Sequence, residues 1–344
     1  MKVLVTGATG FVAGHCVEEL LTHGYQVRGT VRNLRTADVA HLRAIAERTG
    51  GELELVEADL TADAGWGQAV AGCASVWHVA SPFPSRQPKD ENELITPAVA
   101  GTLRVLGAAR DAGVERVVLT SSLAAVAFGH GDDRRRYTEA DWTDVSKVDP
   151  YVKSKTLAER AAWDFARSSG LELVAVNPGT ILGPLQNTDC NTSLELIRRM
   201  MAGRLPVVPR IGWATVDVRD LARLHRLAME SPDAAGKRYV AGGRHVWARE
   251  MASVLAERYR PSGYRIGTGP MPYVLMWLLG RVDPSLRLAL TFWNRRMLVS
   301  AAKAETELGW TMRSVEESVT DTAHSMIQQG LIPLTPSLRS VRSP

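Results

Sequence analysis

Apolar residues in the first half of the chain fall in short continuous runs, separated by stretches of helical period. Lys2–Thr6, Gln26–Arg32, Leu53–Glu57, Ser75–Val79, Val114–Ser121 and Leu171–Asn177 each read as a strand. Between them, helical patterns cover Gly14–His23, Ala37–Arg48 and about residues 98–112 and 151–169. Strands alternating with helices at this spacing form βαβ units, which predicts a parallel sheet with helices on both faces. Val117-Val118-Leu119 and Leu173-Val174-Ala175-Val176 lack polar alternation, as strands covered on both sides do.

The pattern changes after Gly183. Pro184, Pro206 and Pro209 interrupt it, and Trp and Met become frequent between Met271 and Met297, which reads as an irregular apolar lobe. Within it Met271, Met276, Trp277 and Trp293 are expected mainly in a core, with a minority lining a pocket. A helix over Val216–Met229 and a strand over Arg238–Ala241 look able to return to the sheet. The expectation is a doubly wound, Rossmann-like α/β domain over residues 1–182, with return segments at about 213–245. Residues 183–212 and 246–332 would form a smaller, mostly helical substrate lobe, and 333–344 a loose tail.

With 344 residues, 45% hydrophobic and 23% charged, the composition excludes a disordered chain. The formal charge of +4 is mild, and its basic residues are scattered apart from Arg134-Arg135-Arg136 and the last eight residues. These read as a solvated loop and a tail rather than a nucleic-acid footprint. Cys16, Cys73 and Cys190 lie far apart with no CxxC pair, so neither a disulfide framework nor a zinc site is expected. The eight histidines form no HExxH pattern, and no metal is expected. The start of the chain runs straight into a glycine loop without a signal-like apolar stretch, and the run Tyr273–Leu279 is too short to span a membrane. A cytoplasmic protein, monomeric or homodimeric, with no membrane partner is expected.

Three local patterns carry chemistry. Gly7-Ala8-Thr9-Gly10-Phe11-Val12-Ala13 follows the first strand and opens the first helix. Glycines there let the backbone approach a pyrophosphate, and the helix N-terminus offers free N–H donors. The second strand ends in Arg32, with Arg35 close behind and no acid at the tip. A carboxylate there would hold the ribose of NAD and repel a 2′-phosphate, whereas a guanidinium pairs with that phosphate, so NADP is favoured over NAD.

Asp149-Pro150-Tyr151-Val152-Lys153-Ser154-Lys155 reads as a capped helix start with Tyr151 and Lys155 four apart on one face. A tyrosine of pKa about 10 is a poor acid–base group at neutral pH, and a nearby ammonium is expected to lower that value. At the end of the fifth strand, Ser121 and Ser122 stand where ligands sit in open α/β sheets, and either hydroxyl could meet a substrate carbonyl. Asp217 and Asp220 are expected to cap and brace a helix.

These motifs, with Asp59-Leu60, His78-Val79-Ala80-Ser81-Pro82 and Asn177-Pro178-Gly179, occur in an order that resembles the extended short-chain dehydrogenase/reductases. The resemblance is to the dihydroflavonol 4-reductase, cinnamoyl-CoA reductase and aldehyde/ketone reductase branch. It covers about residues 1–245 and resumes at Glu307-Leu308-Gly309-Trp310. It implies that Gly7, Gly10, Phe11 and Val12 line the pyrophosphate, Arg32 the 2′-phosphate, and Asp59 and Leu60 the adenine. Val79, Ala80 and Ser81 would pass under the cofactor, Pro178 to Ile181 would meet the nicotinamide, and Ser193 would reach back to the cofactor. Ser122 matches the family's catalytic serine, Tyr151 its acid–base group, and Lys155 the residue that holds the ribose and tunes the tyrosine.

Two positions depart from the flavonoid reductases. Their lysine beyond the arginine is replaced by Ala37-Asp38-Val39, and their asparagine five residues after the catalytic serine is Ala127. The expected activity is therefore NADPH-dependent reduction of a small or apolar aldehyde or ketone, reversible as a secondary-alcohol dehydrogenase. The rivals are a nucleotide-sugar epimerase or dehydratase on the same scaffold, and an NADP-sensing regulator without turnover.

Overall fold

Seven of the apolar runs pair into one parallel sheet. A computed structural model describes residues 1–81, 90–131, 134–190, 192–281, 290 and 292–335. In chain order the strands are β1 (Lys2–Val5), β2 (Gln26–Val31), β3 (Leu53–Glu57), β4 (Ser75–His78), β5 (Arg116–Thr120), β6 (Arg136–Tyr137) and β7 (Glu172–Pro178). They continue with β8 (Thr180–Leu182), β9 (Val207–Val208), β10 (Gly212–Asp217), β11 (Arg238–Ala241), β12 (His245–Trp247), β13 (Gly269–Pro270) and β14 (Leu298–Val299). The large sheet has the order β11-β7-β5-β4-β1-β2-β3, with every pairing parallel. Strand order reverses between β1 and β4, so a crevice opens at the carboxyl ends of those two strands.

Helices α1 (Phe11–Thr22), α2 (Ala40–Thr49) and α7 (Val218–Glu230) share one apolar core with the sheet. On the opposite face lie α3 (Trp66–Val70), α4 (Asn92–Asp111) and α5 (Pro150–Ser169), over Leu4, Val76, Val117 and Leu173. A separate core collects α6 (Thr192–Met201), α8 (Ala248–Tyr259) and, after α9 (Tyr273–Leu279) and α10 (Ala302–Leu308), α11 (Val315–Gln328). Leu194, Ile197, Met200, Met251, Leu255 and Met326 fill it, against a small sheet of order β12-β10-β8.

Several boundaries differ from expectation, each for a local reason. Helix α1 begins at Phe11 rather than Gly14, because the extended cap is Gly10 (φ −74°, ψ 156°). Helix α4 begins at Asn92 and runs through Pro97. A proline at its sixth residue removes one intrahelical hydrogen bond without ending the helix. Val216 and Asp217 close β10, and α7 starts one residue later, with the Asp217 carboxylate accepting from Arg219 N at 2.9 Å. Asp220 pairs with Arg313, so both acids cap and brace as expected.

The basic run is not a plain solvated loop: Arg135 pairs with Asp141, and Arg136-Tyr137 bridges in parallel to Leu298-Val299. Nor is the tail loose from 333 onward. The Tyr264 hydroxyl donates to Pro333 O at 3.3 Å and Thr335 Oγ1 donates to Ser262 O; the remainder, 336–344, lies outside the described residues. Met271 and Met276 are buried as expected, but Trp277 is 41% exposed, with the Arg281 guanidinium 3.9 Å from its ring centre.

Candidate active site

The glycine loop is shaped by two threonines at strand ends. Gly7 has φ +65°, and a Cβ there would stand 2.9 Å from that of Ala80, so both conformation and space require glycine. Its N–H donates to Thr30 Oγ1 at 2.9 Å, and Ala8 N donates to Thr30 O at 2.9 Å. Thr6 Oγ1 accepts from Val79 N at 3.0 Å and Ala80 N at 2.9 Å, which leaves its own proton for His78 Nδ1 at 3.0 Å. His78 is buried and neutral, its pKa pushed down to about 3 by burial and by the Lys155 charge. The loops after β1 and β4 are thereby fixed on either side of the crevice.

The first turn of α1 carries no side-chain cap and no acid, so its N–H groups face the crevice without a competing carboxylate. Beyond it lies a cavity of about 550 Å³, bordered by Thr9, Arg32, Thr36, Asp38 and Asn187. Arg32 is exposed there, while Arg35 does not border the cavity. Asp59 lies within reach of the Arg32 charge, and bonds from Thr61 are the main cause of its lowered pKa. An uncapped helix start, a glycine cradle and a guanidinium without a carboxylate partner among the described residues fit a dinucleotide that carries an extra phosphate.

Helix α5 presents the Tyr-Lys pair. Asp149 caps it, accepting from Tyr151 N at 2.9 Å and Val152 N at 3.2 Å, and Pro150 takes the first helical position. Lys155 Nζ stands 5.6 Å from the Tyr151 ring centre and donates to Ser81 Oγ at 2.6 Å. Burial lowers the Lys155 pKa to about 8. Burial, followed by the Asp149 charge, raises that of Tyr151 to about 12. The expected lowering of the tyrosine pKa is thus not found: burial and the Asp149 charge both act against the phenolate.

The two serines have different fates. Ser121 donates to Glu159 Oε2, whereas Ser122 Oγ accepts from Ala124 N at 3.1 Å and keeps its own proton to donate. Glu159 is 1% exposed, one turn beyond Lys155, and gathers Asn177 Nδ2 at 2.7 Å, Trp163 Nε1 at 3.1 Å and Arg238 Nε at 2.6 Å. Asn177 Nδ2 also donates to Ser122 O at 3.2 Å. A buried carboxylate therefore ties α5 to the ends of β5 and β7.

Pro178 is buried at the end of β7 and Ile181 is half-buried in β8. Gly179 passes so close to β10 that a Cβ would meet Ala214 O at 2.3 Å. Phe11 packs edge-on against His15, and Leu60 lies under Gly101. Ser193 stands in the first turn of α6, with no hydrogen bond to another candidate among the described residues. Pro82 lies outside the described residues. Next to the start of α5 opens a second cavity of about 770 Å³, bordered by Ala127, Phe128, His130, Asp149, Phe292 and Arg296 among others.

A family model described as the NAD dependent epimerase/dehydratase family matches residues 3–242. The chain belongs to that family. Cinnamoyl-CoA reductase CAD2 of Medicago truncatula is 37% identical over 266 residues, covering 75% of this chain and 80% of that protein. Tetraketide alpha-pyrone reductase 1 of Arabidopsis thaliana is 34% identical over 342 residues, covering 96% and 97%. Yeast methylglyoxal/isovaleraldehyde reductase Gre2, solved with NADPH, superposes with a TM-score of 0.78 at 28% identity, covering 96% of this chain and all of that one. Within the family, this chain's relatives are oxidoreductases that act on carbonyl groups. Sequence reasoning missed Thr6, Thr30, Asn177 as a bridge, and Glu159. Only Glu159 left a signal, an acid on the inner face of the Tyr-Lys helix.

Proposed function

We propose that the protein is an NADPH-dependent reductase of aldehydes or ketones with a small or mainly apolar body. The observation that carries this reading is Lys155, set 5.6 Å from the Tyr151 ring centre and bonded to Ser81, next to the Ala80 against which Gly7 of the glycine loop packs. Arg32 and the uncapped start of α1 would hold NADPH, with Gly7, Gly10, Phe11 and Val12 at its pyrophosphate. Asp59 and Leu60 would border the adenine, Val79 to Ser81 pass beneath, Pro178 and Ile181 back the nicotinamide, and Ser193 close over it. When bound, NADPH supplies the hydride.

The chain's own residues manage the proton. A Tyr151 of pKa about 12 is fully protonated at neutral pH, the form that reduction requires, and it donates to the carbonyl oxygen as negative charge develops. Ser122 donates a hydrogen bond to the same oxygen. Lys155 stays cationic below pH 8 and favours the phenolate left behind. Phe128 and Phe292, edge-on at 6.1 Å, make one wall of the larger cavity apolar and help exclude water.

Tyr151→Phe should lower kcat for aldehyde reduction about 10²- to 10⁴-fold, the usual worth of a positioned acid. NADPH affinity, followed by fluorescence titration, should stay within about twofold, since the ring remains in place. Turnover near that of the parent enzyme would overturn the assignment.

A further inference from the structure

The larger cavity has cationic lining that the apolar-substrate reading does not use. Arg295 and Arg296, both exposed, border it together with Phe128, and neither meets a carboxylate among the described residues. Arg244, by comparison, pairs with Glu250 at 2.7 Å. The turn that carries the two arginines is clamped at both ends. Asn294, with φ +55°, is the one non-glycine residue in the left-handed region among those described. Its N–H donates to Arg210 O at 2.7 Å, and its Oδ1 accepts from Arg210 Nε at 2.6 Å. Three residues on, Met297 N donates to His245 Nδ1 at 3.1 Å. Backbone held in a sparsely populated region persists only where its surroundings over-determine it, and such residues cluster at ligand sites.

Two further observations bear on a ligand here. His130 borders the cavity and stacks on Tyr137 with ring centres 5.1 Å apart, and its Nε2 is buried with no hydrogen-bond partner among the described residues. A buried polar atom left unpaired costs stability, and a bound polar group would satisfy it. Ala127, five residues after Ser122, and Asp149, two before Tyr151, border the same cavity, so the segments that carry the proposed proton donors run into its wall. The cavity thus combines the apolar rings of Phe128 and Phe292 with the guanidinium groups of Arg295 and Arg296.

Resting on the reductase reading above, we infer that the substrate is an anionic carbonyl compound: an apolar-bodied aldehyde or ketone whose carboxylate or phosphate pairs with Arg295 and Arg296. Guanidinium groups take either anion bidentately, so the shared chemistry is the negative charge.

The test compares 4-formylbenzoate, 4-formylphenyl phosphate and the neutral methyl 4-formylbenzoate as substrates of the NADPH-loaded enzyme. One of the anions should exceed the ester in kcat/KM by about tenfold or more, the worth of one charge-assisted pair, and which anion wins separates carboxylate from phosphate. In R295A/R296A that preference should vanish, while the rate on the ester stays within about twofold. Calorimetric binding of 4-(hydroxymethyl)benzoate and 4-(hydroxymethyl)phenyl phosphate to the NADP-loaded enzyme gives a readout independent of turnover, and the favoured anion should weaken about tenfold in the same variant.

If the ester is preferred, or if the double variant keeps the anion preference, the inference is wrong while the reductase reading stands. If no aldehyde is reduced but anion binding still depends on the arginines, the reductase reading fails and the anion site stands. Arginine-dependent binding of UDP-glucose with none of the aryl anions would overturn the substrate class.

Discussion

The glycine-loop end of the site is assembled from residues within a few positions of a strand end, whereas the Phe128–Arg296 end draws on segments far apart in the chain. At the first end, backbone groups are the partners: Thr6 holds Val79 and Ala80, Thr30 holds Gly7 and Ala8, and Asn177 holds Ser122. At the second, the Phe292–Met297 turn hangs on Arg210 and His245, and its two arginines meet no carboxylate among the described residues. Parallel strands fix their carboxyl ends against each other, so a cofactor can be met by rigid backbone. A substrate end built from crossing segments can change its side chains without disturbing that frame, which is how one scaffold serves different carbonyl compounds.

The largest effect should come from breaking the rigid frame itself. Glu159 is a fully buried acid whose partner Arg238 is 7% exposed and also donates to Glu139 O and Asp141 O. Glu159→Ala leaves that guanidinium uncompensated and removes the acceptor for Ser121 and Asn177. A loss of about 3–5 kcal/mol is expected, as for other buried pairs broken on one side. Urea unfolding measures it. A loss below about 1 kcal/mol would mean that the frame tolerates a missing tie, and the contrast between the two ends would weaken.

Next in size is the charge at the edge of the cofactor end. Arg32→Ala should weaken NADPH binding about 10- to 100-fold and leave NADH within about twofold, because only the former has a phosphate for the guanidinium to meet. Equal losses for both cofactors, by fluorescence titration, would remove Arg32 from that role.

The same contrast explains what the sequence disclosed. The alternating runs were legible because a sheet buried on both faces leaves continuous apolar strands, as at Val117–Leu119. The glycine loop and the Tyr-Lys helix were legible because the spacing that marks each is local, seven residues in either case, although Thr30 and Ser81 reach them from distant segments. The local pattern left Ser121 and Ser122 equivalent and only the resemblance pointed to Ser122, because what separates them is Glu159, thirty-eight residues after Ser121 in sequence and in direct contact in space. Arg295 and Arg296 could not be seen as a pair facing a pocket, because the left-handed turn that presents them is set by Arg210, eighty-four residues away from Asn294. The start of α4 was placed six residues late, since the helix runs through Pro97 and packs along α5.

A pH profile sharpens the electrostatic side of the cofactor end. Lys155 has a pKa of about 8, while His78 at about 3 and Tyr151 at about 12 do not titrate between pH 7 and 9.5. An anionic cofactor beside Lys155 favours the ammonium and raises its pKa in the complex. By linkage, NADPH binding is then tightest below pH 8 and weakens as pH rises through 8, by about tenfold at pH 9.5. Lys155→Met should flatten that dependence. A profile that is already flat in the parent enzyme would mean the cofactor does not sense this charge.

The smallest expected change concerns Asp38, which borders the same cavity as Arg32 and stands where the flavonoid reductases have a lysine nearby. Its carboxylate accepts from Ala40 N at 3.2 Å at the start of α2, and its charge also reaches His41, whose pKa burial pulls down. Asparagine keeps an oxygen for that bond, so Asp38→Asn should leave stability nearly unchanged. It removes a negative charge from the neighbourhood of the 2′-phosphate, and at an exposed position that is worth only ~2- to 3-fold tighter NADPH binding, fading at high salt. NADH should not respond. The two substitutions then bracket the cofactor end from opposite signs: Arg32→Ala loses the phosphate preference, Asp38→Asn enlarges it, and neither should alter the anion preference set at Arg295 and Arg296. Movement of that preference with either change would mean that the two ends are coupled, and that the division between rigid frame and adaptable cavity is wrong.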